Sequence, residues 1–271
     1  MKVALCLSGQ SRTFRQCLTS QRLQIINKLK ADVFIHSWSF KGDSRLFSSH
    51  DHRFKINDYK KYINHDRNII PATKLVQAYN PKKILIEYPD ADYFISHVKK
   101  SGRYVVHGFD KLFDSYDKYK WFNCLMMYYG IYMSNKLKKD YEEQRNFVYD
   151  MVIRCRMDLF FSYASFDDTL ENIKKDIIYL APNENTDIVF NKGMKQQLVE
   201  QGIKFMPNDQ FAYGNSGAMD YYSSVYEYFA KDIDYYPHHG EGALTDHLWY
   251  KNTSIYQIIK TNPKIKMKIQ R

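Results

Sequence analysis

The stretch KVALCLSGQSR (Lys2–Arg12) sets the fold. Lys2–Leu7 is a short, β-prone, continuous apolar run, stopped by Ser8-Gly9. A run with no polar alternation predicts a strand buried on both faces, as in a parallel sheet. Apolar residues then recur at helical spacing at Phe14, Cys17, Leu18, Ile25, Ile26 and Leu29, before a second apolar run, ADVFIHSW (Ala31–Trp38). Strand, helix and strand of this length make one right-handed crossover unit. The expectation is an α/β chain with a mostly parallel, Rossmann-like central sheet flanked by helices.

Further elements extend the pattern. KILIEY (Lys83–Tyr88) reads as a third strand, introduced by Asn80-Pro81. A long helix is predicted over about 114–144, with Phe122, Leu125, Met126, Tyr129, Tyr132, Met133 and Leu137 in one apolar stripe. YDMVIRCRMDLFF (Tyr149–Phe161) reads as one long strand. Strands over Asp176–Ala181, Gln210–Tyr213 and Ser254–Ile259, and helices over Ser216–Ala230 and Ala243–Tyr250, complete the chain before a basic tail. Residues 41–73 read as an irregular excursion with a short helix near Asn57–Asn64, and 89–114 as a variable connection. No repeat, low-complexity tract or flexible linker divides the sequence, so 1–271 is read as a single domain.

Composition narrows the function classes. The chain of 271 residues is 44% hydrophobic and 26% charged, ordinary globular values with room for a large core. Its formal charge of +10 attracts phosphates, an anionic membrane face or nucleic acid. No zinc-finger spacing, aromatic RNA-binding motif or basic zipper is present, so no specific nucleic-acid partner is expected. The four cysteines, Cys6, Cys17, Cys124 and Cys155, lack paired spacing, which argues against zinc and a disulfide framework. The longest apolar helical stretch, Cys124–Met133, is half the ~20 residues of a membrane span. A soluble, cytoplasmic protein with at most peripheral membrane contact is expected.

Ligands of open α/β sheets bind beyond the carboxyl ends of the strands, so chemistry is sought there. Ser8, Gly9 and Gln10 leave the first strand and lead into a helix, and Arg12 and Arg15 can fork onto phosphate. This loop lacks the glycines and lysine of a P-loop and the G-x-G-x-x-G of a dinucleotide site. His36 and Trp38, ending the second strand, either contact a nucleoside or pack as an aromatic pair. Arg154, Arg156 and Asp158 would share one face of the long strand. There Asp158 either holds a divalent ion with the arginines neutralising phosphate, or pairs with an arginine and pins the strand. Asp209 and Glu241 are candidate acceptor-positioning carboxylates or bases, each with a turn or capping alternative. His247 is a candidate metal or phosphate contact, with a structural role as its alternative.

In combination, MKVALCLSGQSRTF, DVFIHSW, YDMVIRCRMDLFF, NDQFAYG and EGALTDHL, in that order, resemble a family of GT-A-type glycosyltransferases of phages, large viruses and surface-polysaccharide gene clusters. The segment LMMYYGIYMSNKL resembles the helix that lies between those strands. The resemblance implies a nucleotide-sugar donor, a UDP-sugar foremost, at the first loop and the Arg156–Asp158 motif. It implies a glycan or other hydroxyl acceptor and a divalent cation, Mn2+ or Mg2+, at Asp158 and His247. The family motif is commonly D-x-D. Here Arg156 replaces the first acid, which puts metal dependence in question. Two rivals remain: a sulfotransferase-like enzyme using Ser8–Arg12, and a non-catalytic anion- or nucleic-acid-binding protein using the lysine surface and the Lys264–Arg271 tail.

Overall fold

The computed structural model describes residues 1–39, 71–88, 117–173, 175–181, 209–227, 244, 247–248 and 258–270. Its core is a seven-stranded sheet. The strands are β1 (Val3–Gly9), β2 (Asp32–Trp38), β3 (Lys83–Glu87), β4 (Met151–Arg156), β6 (Ile177–Leu180), β7 (Phe211–Gly214) and β8 (Ile258–Thr261). Two others, β5 (Leu159–Ala164) and β9 (Ile265–Ile269), pair antiparallel in a separate ribbon. The main sheet runs β3-β2-β1-β4-β7-β6-β8. All of its strands share one direction except β7, which is antiparallel to both β4 and β6. The α/β expectation of a mostly parallel sheet therefore holds.

The apolar run of β1 is explained by its place between β2 and β4. Successive side chains alternate between faces, and each face meets a helix layer. Ala4, Cys6, Phe34 and Val152 pack with Leu125, Met126, Tyr128 and Ile131 of helix α3 (Asp117–Arg145) and Met219 and Tyr222 of α5 (Ser216–Ser223). On the other face, Leu5, Leu7, Ile35, Ile153 and Cys155 pack with Phe14 of α1 (Phe14–Gln21) and Leu75 and Tyr79 of α2 (Ala72–Tyr79). Each fully buried aliphatic of this kind contributes about 1.5–3 kcal/mol. Between α1 and β2 the helix continues through a π-turn (Arg22–Ile26) and Asn27–Leu29, ending on Lys30 in the left-handed region. A short α4 (Asp167–Leu170) follows β5. No described helix is long and apolar enough to cross a membrane.

Three expectations are corrected. The predicted strand over 149–161 is two strands in two sheets, broken by a turn at Met157-Asp158. Gln21 of α1 holds that turn, its side-chain amide donating to the carbonyls of Arg156, Met157 and Leu159 at 3.3, 3.2 and 2.9 Å. The basic tail is not a plain extension: Lys266 and Lys268 alternate with Ile265, Met267 and Ile269 in β9, which pairs with β5. Helix α2 begins in the last two residues of the expected irregular excursion and continues past it, burying Leu75 and Tyr79, one turn apart. The short helix near Asn57–Asn64 and most of the helix over 243–250 lie outside the described residues.

Candidate functional site

The parallel register brings the expected residues to one edge. Ser8 lies across from His36 on one side and from Arg156 on the other. All three stand on the sheet face covered by α3, at the carboxyl ends of their strands. Gly9 turns the chain at φ 108°, a conformation open to glycine and strained for other residues. A Cβ there would meet nothing within 4 Å, so the constraint is the backbone and not crowding. Beyond it, Gln10 accepts a hydrogen bond from Arg12 Nε at 2.6 Å. Ser8 and Ser11 are buried, and neither hydroxyl has a hydrogen-bond partner among the described residues. Arg15 is exposed on α1 beside the Phe14 ring and does not join the group.

At the end of β2 the packed-pair alternative is what the structure contains. His36 and Trp38 are buried and meet edge to face at 5.0 Å, and Tyr129 stacks on Trp38. His36 Nε2 lies 2.8 Å from Glu87 Oε2, and Tyr129 donates to the other oxygen of Glu87 at 3.2 Å. Burial holds the imidazole below its usual pKa, while the hydrogen bond from His36 holds the carboxyl low. The direction of the imidazole shift gives a neutral ring, donating from Nε2 to the Glu87 carboxylate. Nδ1 is then a buried acceptor without a partner among the described residues. It faces Gly130 of α3, where a Cβ would stand 3.2 Å from Nδ1 and 3.7 Å from both Gly9 N and Ser8 Cβ. Gly130 thus lets the helix close onto the first loop. Glu87, about one-third exposed, carries this cluster to the surface. Its signal in the sequence is a single acid after the apolar run Ile84–Ile86.

The end of β4 carries the densest charge. Arg156 donates from Nε to Asp158 Oδ1 at 2.8 Å and from Nη2 to Oδ2 at 2.7 Å, a two-bond fork. The Asp158 side chain is 3% exposed and that of Arg156 23%. Burial alone would raise the Asp158 pKa; the charge and hydrogen bonds of Arg156, with Arg12 adding, more than offset it and hold it low. Arg156 is likewise held above its usual value: burial opposes it, but Asp158 and Asp209 outweigh burial. Arg154 is fully buried on the α3–α5 face. Nη1 donates to the Gln210 carbonyl, Nε has no partner, and Arg154 forms no ion pair among the described residues. Nearby, the buried Tyr222 hydroxyl is also without a hydrogen bond among them. Asp209, 8% exposed and just ahead of β7, interacts electrostatically with Arg154, Arg156 and Tyr222.

The two residues expected to hold a divalent cation make a poor site for one. Each oxygen of Asp158 accepts a bond from Arg156, and the side chain is nearly closed to solvent. His247 Nε2 lies 2.8 Å from the Tyr221 carbonyl, which only accepts, so this nitrogen carries a proton and the ring's lone pair is left on Nδ1. The His247 ring stacks on Tyr221, the structural role named as its alternative. Among the described residues, no three His, Cys, Asp or Glu side chains are grouped to take a metal. Glu241 lies outside the described residues.

A cavity of about 570 Å3 opens at the other edge of the sheet, lined by residues including Lys139, Glu142, Phe147, Val148, Ser216 and Asp220. Behind its wall, the buried Lys138 ammonium donates to Ser216 Oγ at 2.6 Å and Asp220 Oδ1 at 2.8 Å, and meets Glu142 Oε2 at 3.0 Å. Burial disfavours the charge, but the two carboxylates raise the pKa overall, so this lysine is a charged strut joining α3 to α5.

Fold and site together define an α/β protein with a mostly parallel sheet whose carboxyl edge carries Arg12, Arg156 and Asp158. No protein-family model matches the sequence, and no curated protein matches it. Among solved structures, mouse xyloside xylosyltransferase 1 in its apo form is similar at a TM-score of 0.40 and 11% identity, over 95% of this chain and 84% of that one. A likeness this distant assigns no activity to this chain.

Proposed function

We propose that this chain is a GT-A-like glycosyltransferase that moves a sugar from a nucleoside-diphosphate sugar to a hydroxyl of a glycan or related acceptor. The observation carrying the proposal is the register that sets Ser8 between His36 and Arg156 at the carboxyl edge. A glycine-containing turn, a helix start and Arg12, Arg154 and Arg156 gather there, a setting suited to a diphosphate. The order of sequence motifs that resembles the family supports the same reading.

In the proposed reaction, the acceptor hydroxyl oxygen forms a bond to the anomeric carbon. The bond from that carbon to the β-phosphate oxygen breaks, and its electron pair leaves with the nucleoside diphosphate. The arginines offset the charge that develops there. The acceptor proton passes to a carboxylate, for which Asp209 is the described candidate and Glu241 the second. Arg12, with Gly9 and Gln10, lines the diphosphate, and the buried Ser8 lies beneath the loop. His36 and Trp38, packed against Tyr129 and Glu87, support the loop instead of touching the donor. Arg15 is assigned no contact.

The test is incubation with a panel of uridine, guanosine, cytidine and thymidine nucleotide sugars, with and without glycan acceptors, read by mass spectrometry. Release of nucleotide together with a hexose- or pentose-sized mass gain on an acceptor is expected. Failure to bind or consume every donor would remove the proposal.

A further inference from the structure

Resting on that donor reading, we infer that the diphosphate is held without a divalent cation, by an Arg156 guanidinium locked in place by Asp158 and assisted by Arg12 and Arg154. The resemblance implies a divalent cation, which the replacement of the first acid by Arg156 puts in question; the donor set of this chain argues against it.

A divalent ion bound through carboxylate needs at least one oxygen with a free lone pair directed at it. Each oxygen of Asp158 receives a short charge-assisted bond from the same guanidinium, and the carboxylate is almost wholly buried. Each oxygen keeps a second lone pair, but a metal would have to reach it in a nearly closed site and against the charge of Arg156. Gln21 further fixes the turn from Arg156 to Leu159 through three carbonyls, with its own oxygen held by Tyr79 at 2.8 Å. The pair is therefore preorganised and not poised to open.

The charge balance agrees. Arg12, Arg154 and Arg156 stand against Asp158 and Asp209, leaving one positive charge among these five. Arg154 supplies the second, independent observation. A buried guanidinium with no ion pair among the described residues and an unbonded Nε, beside an unbonded Tyr222 hydroxyl, is costly unless an anion completes it. The task a cation performs, neutralising a leaving diphosphate, thus falls to guanidiniums, which fork onto phosphate oxygens in the same two-bond geometry. Asp158 acts through Arg156 and is a positioning residue.

The experiment is calorimetric titration of the full chain with uridine and guanosine diphosphate, in chelator and in excess manganese or magnesium. The expected result is an affinity equal within about twofold in all three media. Binding that requires metal, or tightens more than about tenfold with it, overturns the inference while leaving the donor reading intact. Absence of binding in every medium overturns the donor reading itself. Two variants, each first shown folded by its unfolding midpoint, separate the roles. Arg156→Lys keeps the charge but loses the fork, and should weaken binding at least tenfold; unchanged binding counts against the inference. Asp158→Asn should weaken binding a few-fold and stay indifferent to metal. A metal response present in the wild type and lost in Asp158→Asn would make Asp158 a ligand and overturn the assignment.

Discussion

Replacing Asp158 with asparagine removes one charge from a pair that is 3% and 23% exposed and leaves the rest of the turn in place. Deleting one partner of a buried ion pair costs about 3–5 kcal/mol, because the other charge stays buried. Asparagine retains one acceptor for the guanidinium, and Arg156 keeps some contact with water, so the lower end, about 3 kcal/mol, is expected. In a chain of this size that lowers the midpoint of thermal unfolding by roughly 6–12 °C. The pH dependence sharpens the test. The folded-state pKa of Asp158 is depressed, so its contribution is fully present above the unfolded value of about 3.9 and is lost as pH falls toward the folded value. Urea unfolding of both proteins, followed by fluorescence from pH 7 downward, should show a constant gap that narrows below about pH 4. A gap under about 1 kcal/mol at pH 7, or one that persists unchanged in acid, would show that the pair is not built as described.

The packing makes further demands. Lys138→Met strands the Glu142 carboxylate and should cost about 3–5 kcal/mol in urea unfolding; a loss under about 1 would mean that the strut is solvated. Gly214→Ala puts a methyl 2.7 Å from the Ile177 carbonyl, backbone that cannot yield cheaply, and should destabilise by about 1–3 kcal/mol, whereas ready tolerance would contradict the β6–β7 register. Burial pushes the thiols of Cys6 and Cys17 up to about 12 and about 11, and raises that of Cys155 as well, so in the folded protein an aromatic disulfide reagent should label Cys124 alone. In urea all four should react.

The core of the fold is legible because β1, β2 and β4 are buried on both faces and each carries a run of apolar residues, VALCL, VFI and MVI. The features that escape the pattern lie where local sequence and distant contacts disagree. Asp158 is the one local turn signal between the β-prone stretches MVI and LFF, too little to announce a break; the turn is held by Gln21 of α1, far away in sequence, and by the pairing of β5 with β9. The IKMKI alternation of β9 is visible but submerged in a basic tail. Helix α2 has only Leu75 and Tyr79 as buried anchors, too few for a periodic signal. In the site, the register of Ser8, His36 and Arg156 follows from parallel strands. The Asp158 fork depends on the unforeseen turn, because on a straight strand residue 158 would stand beside Arg156 on one face instead of folding back under it.

The most direct measurement of the central claim is amide hydrogen exchange with and without a saturating nucleoside diphosphate. Slower exchange in peptides covering residues 8–13 and 154–159 is predicted, with no change around the cavity at Lys139 and Val148. Protection confined to that cavity, or absent from the carboxyl edge although the nucleotide binds, would contradict the account.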